Sequence, residues 1–351
     1  VELNRRSVLL GLGAVGAFLA VDLGGVAYAN DWIGPRAGLT RKAFIDRFRA
    51  VFGEHLGFRK NHAKGVAVIG HFESNGNGRE LSRATLFRPG RTSVTGRFSL
   101  TGGNPAVADT PAAARGLGLA FAFPDGQQWR TAMLNLPVFP DNSPQGFYDR
   151  LLASKVDPAT GQPDPAAMSA FLAAHPETAA ATRLIKQQPP TPGFADSTFR
   201  GLNTFFFVSD AGERTPVRWS FFPQQQAFAA RPGGSNTLFE ALIRQIRSGP
   251  LQWRLILTVG AQGDPTSDAT LPWPDDRRAI DAGTLTLTGI ETEERGNARD
   301  VNFDPLILPD GIEPSDDPLL SARSAVYAAS YRARTGEPKS PSAVQVDEVA
   351  P

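Results

Sequence analysis

His62 follows Arg59 by three residues in Phe58-Arg-Lys-Asn-His-Ala-Lys-Gly65, just ahead of the apolar run Val66 to Phe72. It is one of four histidines in 351 residues. An imidazole at the mouth of a buried strand can take up and return a proton near neutral pH. Asn61 sets a second polar group beside it. The other end of the chain carries Arg323-Ser-Ala-Val-Tyr327, with Tyr331 four residues on and Arg334 seven residues on. At helical spacing Arg323, Tyr327 and Arg334 share one face. An arginine one turn from a tyrosine favours the phenolate. Holding a phenolate at neutral pH takes about 4 kcal/mol, whereas an exposed ion pair yields about 0–1 kcal/mol. A cation on the phenol oxygen would have to make up the difference, and ferric haem with an axial tyrosine is one such arrangement. A surface helix on which Arg and Tyr merely pack together is the other reading of the same spacing.

The elements that must position these groups can be read from hydrophobic periodicity. Thr40 to Glu54 predicts an amphipathic helix, with Phe44, Ile45, Phe48, Val51 and Phe52 on one side. Val66 to Phe72 and Ser93 to Leu100 read as strands, and Arg115 to Phe123 with Trp129 to Leu136 as a hairpin across Pro124-Asp-Gly-Gln127. Ser143 to Gln187 is Ala-rich and helical, broken at Pro158, Pro163, Pro165 and Pro176. Strands return at Thr204 to Val208, Val217 to Phe222, Trp253 to Val259 and Gly283 to Ile290, with a helix at Thr237 to Arg247. Ser315 to Arg334 is the last predicted helix, opened by Ser-Asp-Asp. Short antiparallel groups with helices inserted between them predict an α+β fold built on an antiparallel barrel or strongly curved sheet. Beyond Thr335 the composition, with Pro338 and Pro341, predicts a disordered tail over 336–351.

Composition removes several functions. Lys+Arg is 36 against Asp+Glu 35, so no basic excess marks a nucleic-acid surface. The absence of cysteine excludes disulfides, thiolate metal sites and a Cys nucleophile. Any metal or haem must be held by His, Tyr, Met or carboxylate. No H-E-x-x-H or comparable ligand spacing connects His55, His62 and His71. Ser99 lacks a G-x-S-x-G elbow. The 23 phenylalanines suit either a flat apolar ligand or plain core packing.

At the N-terminus, Arg5-Arg6 precede the apolar stretch Val8 to Val21, and Ala27-Tyr28-Ala29 forms an A-x-A cleavage pattern. That stretch is shorter than the roughly 18–20 residues that span a bilayer. Residues 1–29 therefore resemble a signal for the twin-arginine export machinery, with an ordinary secretory signal as the alternative. A periplasmic or otherwise exported chain is expected, with residues 30–335 as its single functional domain.

The ordered set of motifs resembles the haem catalase family, closest to its small exported catalase-related peroxidases. Arg59-x-x-His62-Ala-Lys-Gly65 looks like the segment carrying the distal histidine, and Leu81-Ser82-Arg83-Ala84-x-x-Phe87 and Gly96-Arg97-Phe98-Ser99 like the strand region after it. Arg115-Gly116-Leu117-Gly118, Asn135-Leu136-Pro137-Val138-Phe139 and Asn203-Thr204-Phe205-Phe206-Phe207-Val208 continue the match. Arg323-x-x-x-Tyr327 with Arg334 resembles the proximal signature. The resemblance implies a catalase-like barrel with the haem pocket between barrel and C-terminal helix. It implies His62 as distal acid/base, oriented by Ser99, and Tyr327 as axial iron ligand supported by Arg323. It also implies Arg59, Arg97 and Arg334 as haem propionate contacts, with a peroxide substrate and a small-molecule reductant, in a monomer or small homo-oligomer.

Departures from the family pattern shape the expected activity. Leu134 and Asn135 stand where catalases have two consecutive Asn, so the distal amide is expected to be lost, and polar Asn61 replaces a usual Val. Ala328-Ala329 replaces the Pro-Asp that follows the axial Tyr, and neither the interlocking N-terminal arm nor the C-terminal helical domain of typical catalases is expected. These changes favour a haem-dependent peroxidase acting on hydrogen peroxide or organic hydroperoxides over a peroxide-disproportionating enzyme. An allene-oxide-synthase-like hydroperoxide dehydratase or isomerase, a non-catalytic haem-binding protein and a cofactor-free barrel are the competing readings.

Overall fold

Large apolar residues alternate with small or polar ones along the strands, and that alternation decides which side of the sheet becomes core. The computed structural model describes residues 39–226 and 234–350. The expected signal segment, 1–29, lies outside them. In chain order the elements begin α1 (Arg41–Phe52), β1 (Gly65–Ser74), β2 (Gly90–Leu100), β3 (Arg115–Ala122) and β4 (Gln128–Leu134). Then come α2 (Pro144–Ala153), α3 (Pro165–Ala174), α4 (Pro176–Gln187), β5 (Phe199–Val208) and β6 (Arg214–Pro223). The rest are α5 (Thr237–Ser248), β7 (Leu251–Val259), β8 (Ala279–Glu291), β9 (Ile312–Pro314) and α6 (Pro318–Gly336). The strand order is β4-β3-β2-β1-β8-β7-β6-β5-β9, and the pairing of Leu134 with Arg200 joins β4 to β5. The result is a closed antiparallel eight-stranded barrel, with short β9 added beside β5.

The barrel interior is filled with side chains and offers no ligand space. Phe98, Phe121, Trp129, Phe207, Phe221 and Trp253 are all fully buried in one continuous core. Trp129 stacks on Phe121 with centroids 5.1 Å apart and meets the edge of Trp219 at 5.1 Å. Eight strands enclose a space just wide enough for such rings. Most of the phenylalanine-rich interior expected from composition is therefore core packing, and a ligand must sit outside the wall. There the sequence thins: with Phe98, Leu117 and Met133 pointing inward, their neighbours Arg97, Ser99, Gly116, Gly118, Ala132 and Leu134 form the outer face. The registers Arg97–Gly118–Ala132 and Ser99–Gly116–Leu134 place them in two rows.

Proline positions the helices. Pro144, Pro165, Pro176 and Pro318 each occupy the first turn of a helix, where the missing N–H costs nothing. The last helix accordingly starts at Pro318 with Asp317 as its cap, not at Ser315. β9 escapes sequence reading because three residues show no period.

The disordered tail expected beyond Thr335 is corrected by the structure. Glu337 accepts hydrogen bonds from Gly57 N (2.8 Å) and Lys60 Nζ (2.9 Å), and Arg299 donates to Ser340 O at 2.6 Å. Val344, Val346 and Val349 are buried in the main core, and Arg247 donates to Val346 O at 2.9 Å. Proline content signals only that the segment is not helical; three spaced valines are enough to anchor it. Deleting residues 343–351 is expected to lower the unfolding free energy by about 2–4 kcal/mol, net of regained chain entropy. Chemical denaturation measures this, and an unchanged midpoint would contradict the packing.

Candidate active site

A cavity of about 420 Å³ lies against the outer face of β2, β3 and β4, with α6 as its other wall and α1 and α2 at its side. The volume falls in the range of cofactor and small-molecule sites, about 300–1,000 Å³. Leu319, Ala322, Arg323, Val326, Tyr327, Ser330, Tyr331 and Arg334 all line it. Their alternating spacing of three and one is one continuous stripe of a helix. The two ends of the chain thus meet: His62, Asn61 and Arg59 line the same cavity as Tyr327, Arg323 and Arg334.

His62 is held from every side. It is the one non-glycine residue with positive φ among those described, at 57°. Such a conformation costs about 1–3 kcal/mol and persists only where its surroundings over-determine it. Asn61 Oδ1 accepts from His62 N at 3.0 Å and from Gly102 N at 2.8 Å. Asn61 therefore fixes the backbone of the histidine, and its carbonyl is not free for the imidazole. Arg97 Nη1 donates to His62 O at 2.8 Å, and Nη2 to Ala63 O at 3.2 Å. The imidazole Nδ1 meets Ser99 Oγ at 3.0 Å, and Nε2 has no hydrogen-bond partner among the described residues. Gly116 makes room for this pair, since a Cβ there would fall 2.8 Å from Ser99 Oγ and 3.0 Å from the ring. Gly65 does the same for Arg97, whose guanidinium lies 2.5 Å from where its Cβ would be.

Tyr327 projects from α6 and packs with Ala67, Ala298 and Phe303. One turn earlier, Arg323 Nη2 donates to Ala132 O at 2.9 Å, tying the helix to β4, and Nη1 donates to Asn203 Oδ1. Asn203 Nδ2 in turn donates to Asp317 Oδ2 at 2.7 Å, while Asp317 Oδ1 caps Leu319 N at 2.9 Å. The same carboxylate starts the helix and orients the residue that orients Arg323.

The remaining arginines crowd into one corner. Arg59 Nη2 donates to Ala298 O at 3.0 Å and to Val301 O at 2.9 Å. Arg334, 1 % exposed, donates through Nη2 to the same Val301 O at 3.0 Å and through Nη1 to Arg299 O. Neither arginine has a carboxylate ion-pair partner among the described residues, and buried Arg334 Nε has no acceptor. Burial and then repulsion from Arg334 and Arg97 push Arg59 well below the ordinary guanidinium value. Burial and Arg97 bring Arg334 to about 10, with Glu293 opposing. Two cations with spare donors, Arg334 buried and Arg59 half-buried, could hold an anion. Arg97 is different, because Glu293 takes its Nε at 2.6 Å and Nη2 at 2.8 Å. With His62 O and Ala63 O, that leaves its guanidinium nearly saturated.

Glu293 was not singled out by sequence reading, and Asn203 and Asp317 stood there only as part of a matching segment and of a helix start, with no role toward Arg323. Each is an ordinary polar residue in sequence, and only the fold brings it to an arginine. Leu134 lines the cavity, while Asn135 Oδ1 accepts from Arg115 N at 2.7 Å and is occupied there. The position that Leu134 takes in the cavity wall is therefore apolar.

Burial first, then the charges of Arg97, Arg59 and Arg323, lower His62 from 6.5 to about 3. The folded imidazole stays neutral at pH 7. Between those two values the unfolded chain binds a proton that the folded chain does not, so stability falls as pH drops through that window and is unaffected above it. The slope from this group reaches about 1.4 kcal/mol per pH unit. Denaturant titrations from pH 7.5 to 4.5 are expected to show this slope, and His62→Gln is expected to remove it; an identical slope in the variant would contradict the assignment.

The catalase family profile matches residues 36–341. A protein named catalase-related peroxidase from Synechococcus elongatus is 38% identical over 305 residues, which cover 85% of this chain and 89% of that one. One of the same name from Mycolicibacterium paratuberculosis is 30% identical over 305 residues, covering 85% of this chain and 96% of the relative. Catalase A from Saccharomyces cerevisiae superposes with a TM-score of 0.70 at 22% identity, over 86% of this chain and 66% of that structure, a likeness of fold. With the barrel, the shared cavity and these relatives in hand, the chain belongs to the catalase family.

Proposed function

We propose that the chain is a haem-dependent peroxidase that reduces hydrogen peroxide or organic hydroperoxides while oxidising a small-molecule reductant. The observation that carries this reading is the pairing, in one cavity, of a neutral imidazole with a free Nε2 and a tyrosine on an arginine-bearing helix. The donor set fits an iron porphyrin. Tyr327 offers a phenol oxygen of the kind that ligates ferric haem, and the spare donors of Arg59 and Arg334, including the orphaned Arg334 Nε, suit two propionates. The Phe303 ring packs over Gly118, where a Cβ would fall 2.9 Å from it, and lines the cavity with Ala132. When bound, the ferric porphyrin supplies the redox centre at which the peroxide O–O bond is cleaved. The names of the two relatives agree with a peroxide-consuming enzyme.

The protein's own part in that reaction is proton handling. His62 Nε2 accepts the proton of the peroxide's inner oxygen and returns it to the outer oxygen as that oxygen departs. Ser99 Oγ holds Nδ1, so the ring keeps one orientation through both transfers. Arg323, one turn before Tyr327, ties α6 to β4 through Ala132 O and so sets the position from which the phenol projects. Apolar Leu134 in the cavity wall offers no hydrogen bond to a second peroxide, which favours oxidation of a separate reductant over disproportionation. The segment around Arg5-Arg6 would carry the enzyme to an exported location.

Stopped-flow mixing of haem-loaded protein with hydrogen peroxide and with cumene hydroperoxide, followed by a phenolic reductant, tests this. Wild type is expected to turn over the reductant with at least one peroxide, and His62→Ala to lose about 10²–10⁴-fold in the peroxide step. A wild-type protein that binds haem yet oxidises nothing, or an unaffected His62→Ala, would sink the proposal.

A further inference from the structure

Arg97 lines the cavity with His62, and Glu293 pairs with it without being among the lining residues. Glu293 grips Arg97 with both oxygens, Oε1 on Nε at 2.6 Å and Oε2 on Nη2 at 2.8 Å. Both side chains are buried, Arg97 at 3 % exposure and Glu293 at 6 %. The other edge of the Arg97 guanidinium reaches His62 O and Ala63 O, the two carbonyls on either side of the Ala63 peptide nitrogen. A guanidinium is planar and rigid, so fixing one edge fixes the other. Opposite this grip, Asn61 Oδ1 takes His62 N, and Ala63 N donates to Gly102 O at 2.9 Å. The left-handed turn at His62 is thus clamped between Asn61 and Arg97, and among the described residues Glu293 is the side chain that holds Arg97 in plane. We propose that Glu293 is a positioning residue for His62, acting through Arg97 to keep the strained backbone that presents Nε2 to the cavity.

A plain structural ion pair would behave differently. A buried pair at this separation adds little net stability over an apolar replacement, because desolvation offsets its attraction. Its value here would lie in orientation. Glu293 also faces Arg59 and Arg299, so its charge is shared by a corner of like-charged groups. Neutralising it frees Arg97 to turn toward the cavity, and His62 O then loses its donor.

The inference rests on His62 as the proton-moving group, and two arms separate its failure from that of the peroxidase reading. In the full chain before haem addition, with 15N-labelled histidine, wild-type His62 is expected to show one dominant neutral tautomer, fixed by Ser99. E293Q is expected to show a mixture of both tautomers, at an unfolding midpoint close to wild type. In the haem-loaded protein, E293Q is expected to slow the peroxide step about 10–100-fold per bound haem. R97K is expected to slow it similarly, and E293Q is expected to add nothing in the R97K background. An unchanged imidazole signal in E293Q overturns the proposal whether or not the chain proves to be a peroxidase. So do losses for E293Q and R97K that multiply. If E293Q does not fold, E293D takes its place: a wild-type imidazole signal and rate in E293D reduces the pair to a structural role and overturns the proposal, and a mixed signal supports it.

Discussion

The left-handed backbone at His62 is the constraint on which the pocket depends. A β-carbon residue adopts that conformation at a cost, and here it does so between two opposed grips, Asn61 on the N–H side and Arg97 on the carbonyl side. The turn ends the approach from α1 and begins β1, and it swings the imidazole onto Ser99. Relax it, and Nδ1 loses its partner and Nε2 its direction. The Gly65 and Gly116 positions follow from the same constraint, since each vacates space for a group engaged in it.

The barrel supplies one wall and α6 the other. A closed eight-stranded barrel packed with Phe and Trp has no room inside, so functional residues appear on the outward positions of β2, β3 and β4. Those positions are small where the cavity needs depth and polar where it needs contacts. The helix presents its stripe to that wall and is tied to it by Arg323 on Ala132 O and by Arg334 on Val301 O. The cationic corner formed by Arg59 and Arg334 has no carboxylate in a direct ion pair among the described residues, and Glu293 acts on both through space.

Much of this was legible in the sequence because it depended on local pattern or on motif order. The strands from β1 to β8, the proline-punctuated helices and the residues His62, Ser99, Tyr327 and Arg323 are visible from periodicity and from resemblance to the catalase family. What stayed hidden depended on distance in sequence. Glu293 is 196 positions from Arg97, and Asn203 is 114 from Asp317; no local pattern announces either. Asn61 looked like a possible partner for the imidazole, but its carbonyl is drawn to backbone N–H groups two strands' ends apart. The C-terminal segment read as disordered because proline and polar residues outnumber its valines, yet burial of Val344, Val346 and Val349 outweighs composition.

Resonance Raman spectroscopy of the chain loaded with ferric haem tests the central claim most directly, because it reports the ligand on the iron. The account predicts tyrosinate-ligand bands that vanish in Tyr327→Phe while His62→Ala retains them. A spectrum of histidine or water ligation, unchanged by Tyr327→Phe, would contradict it.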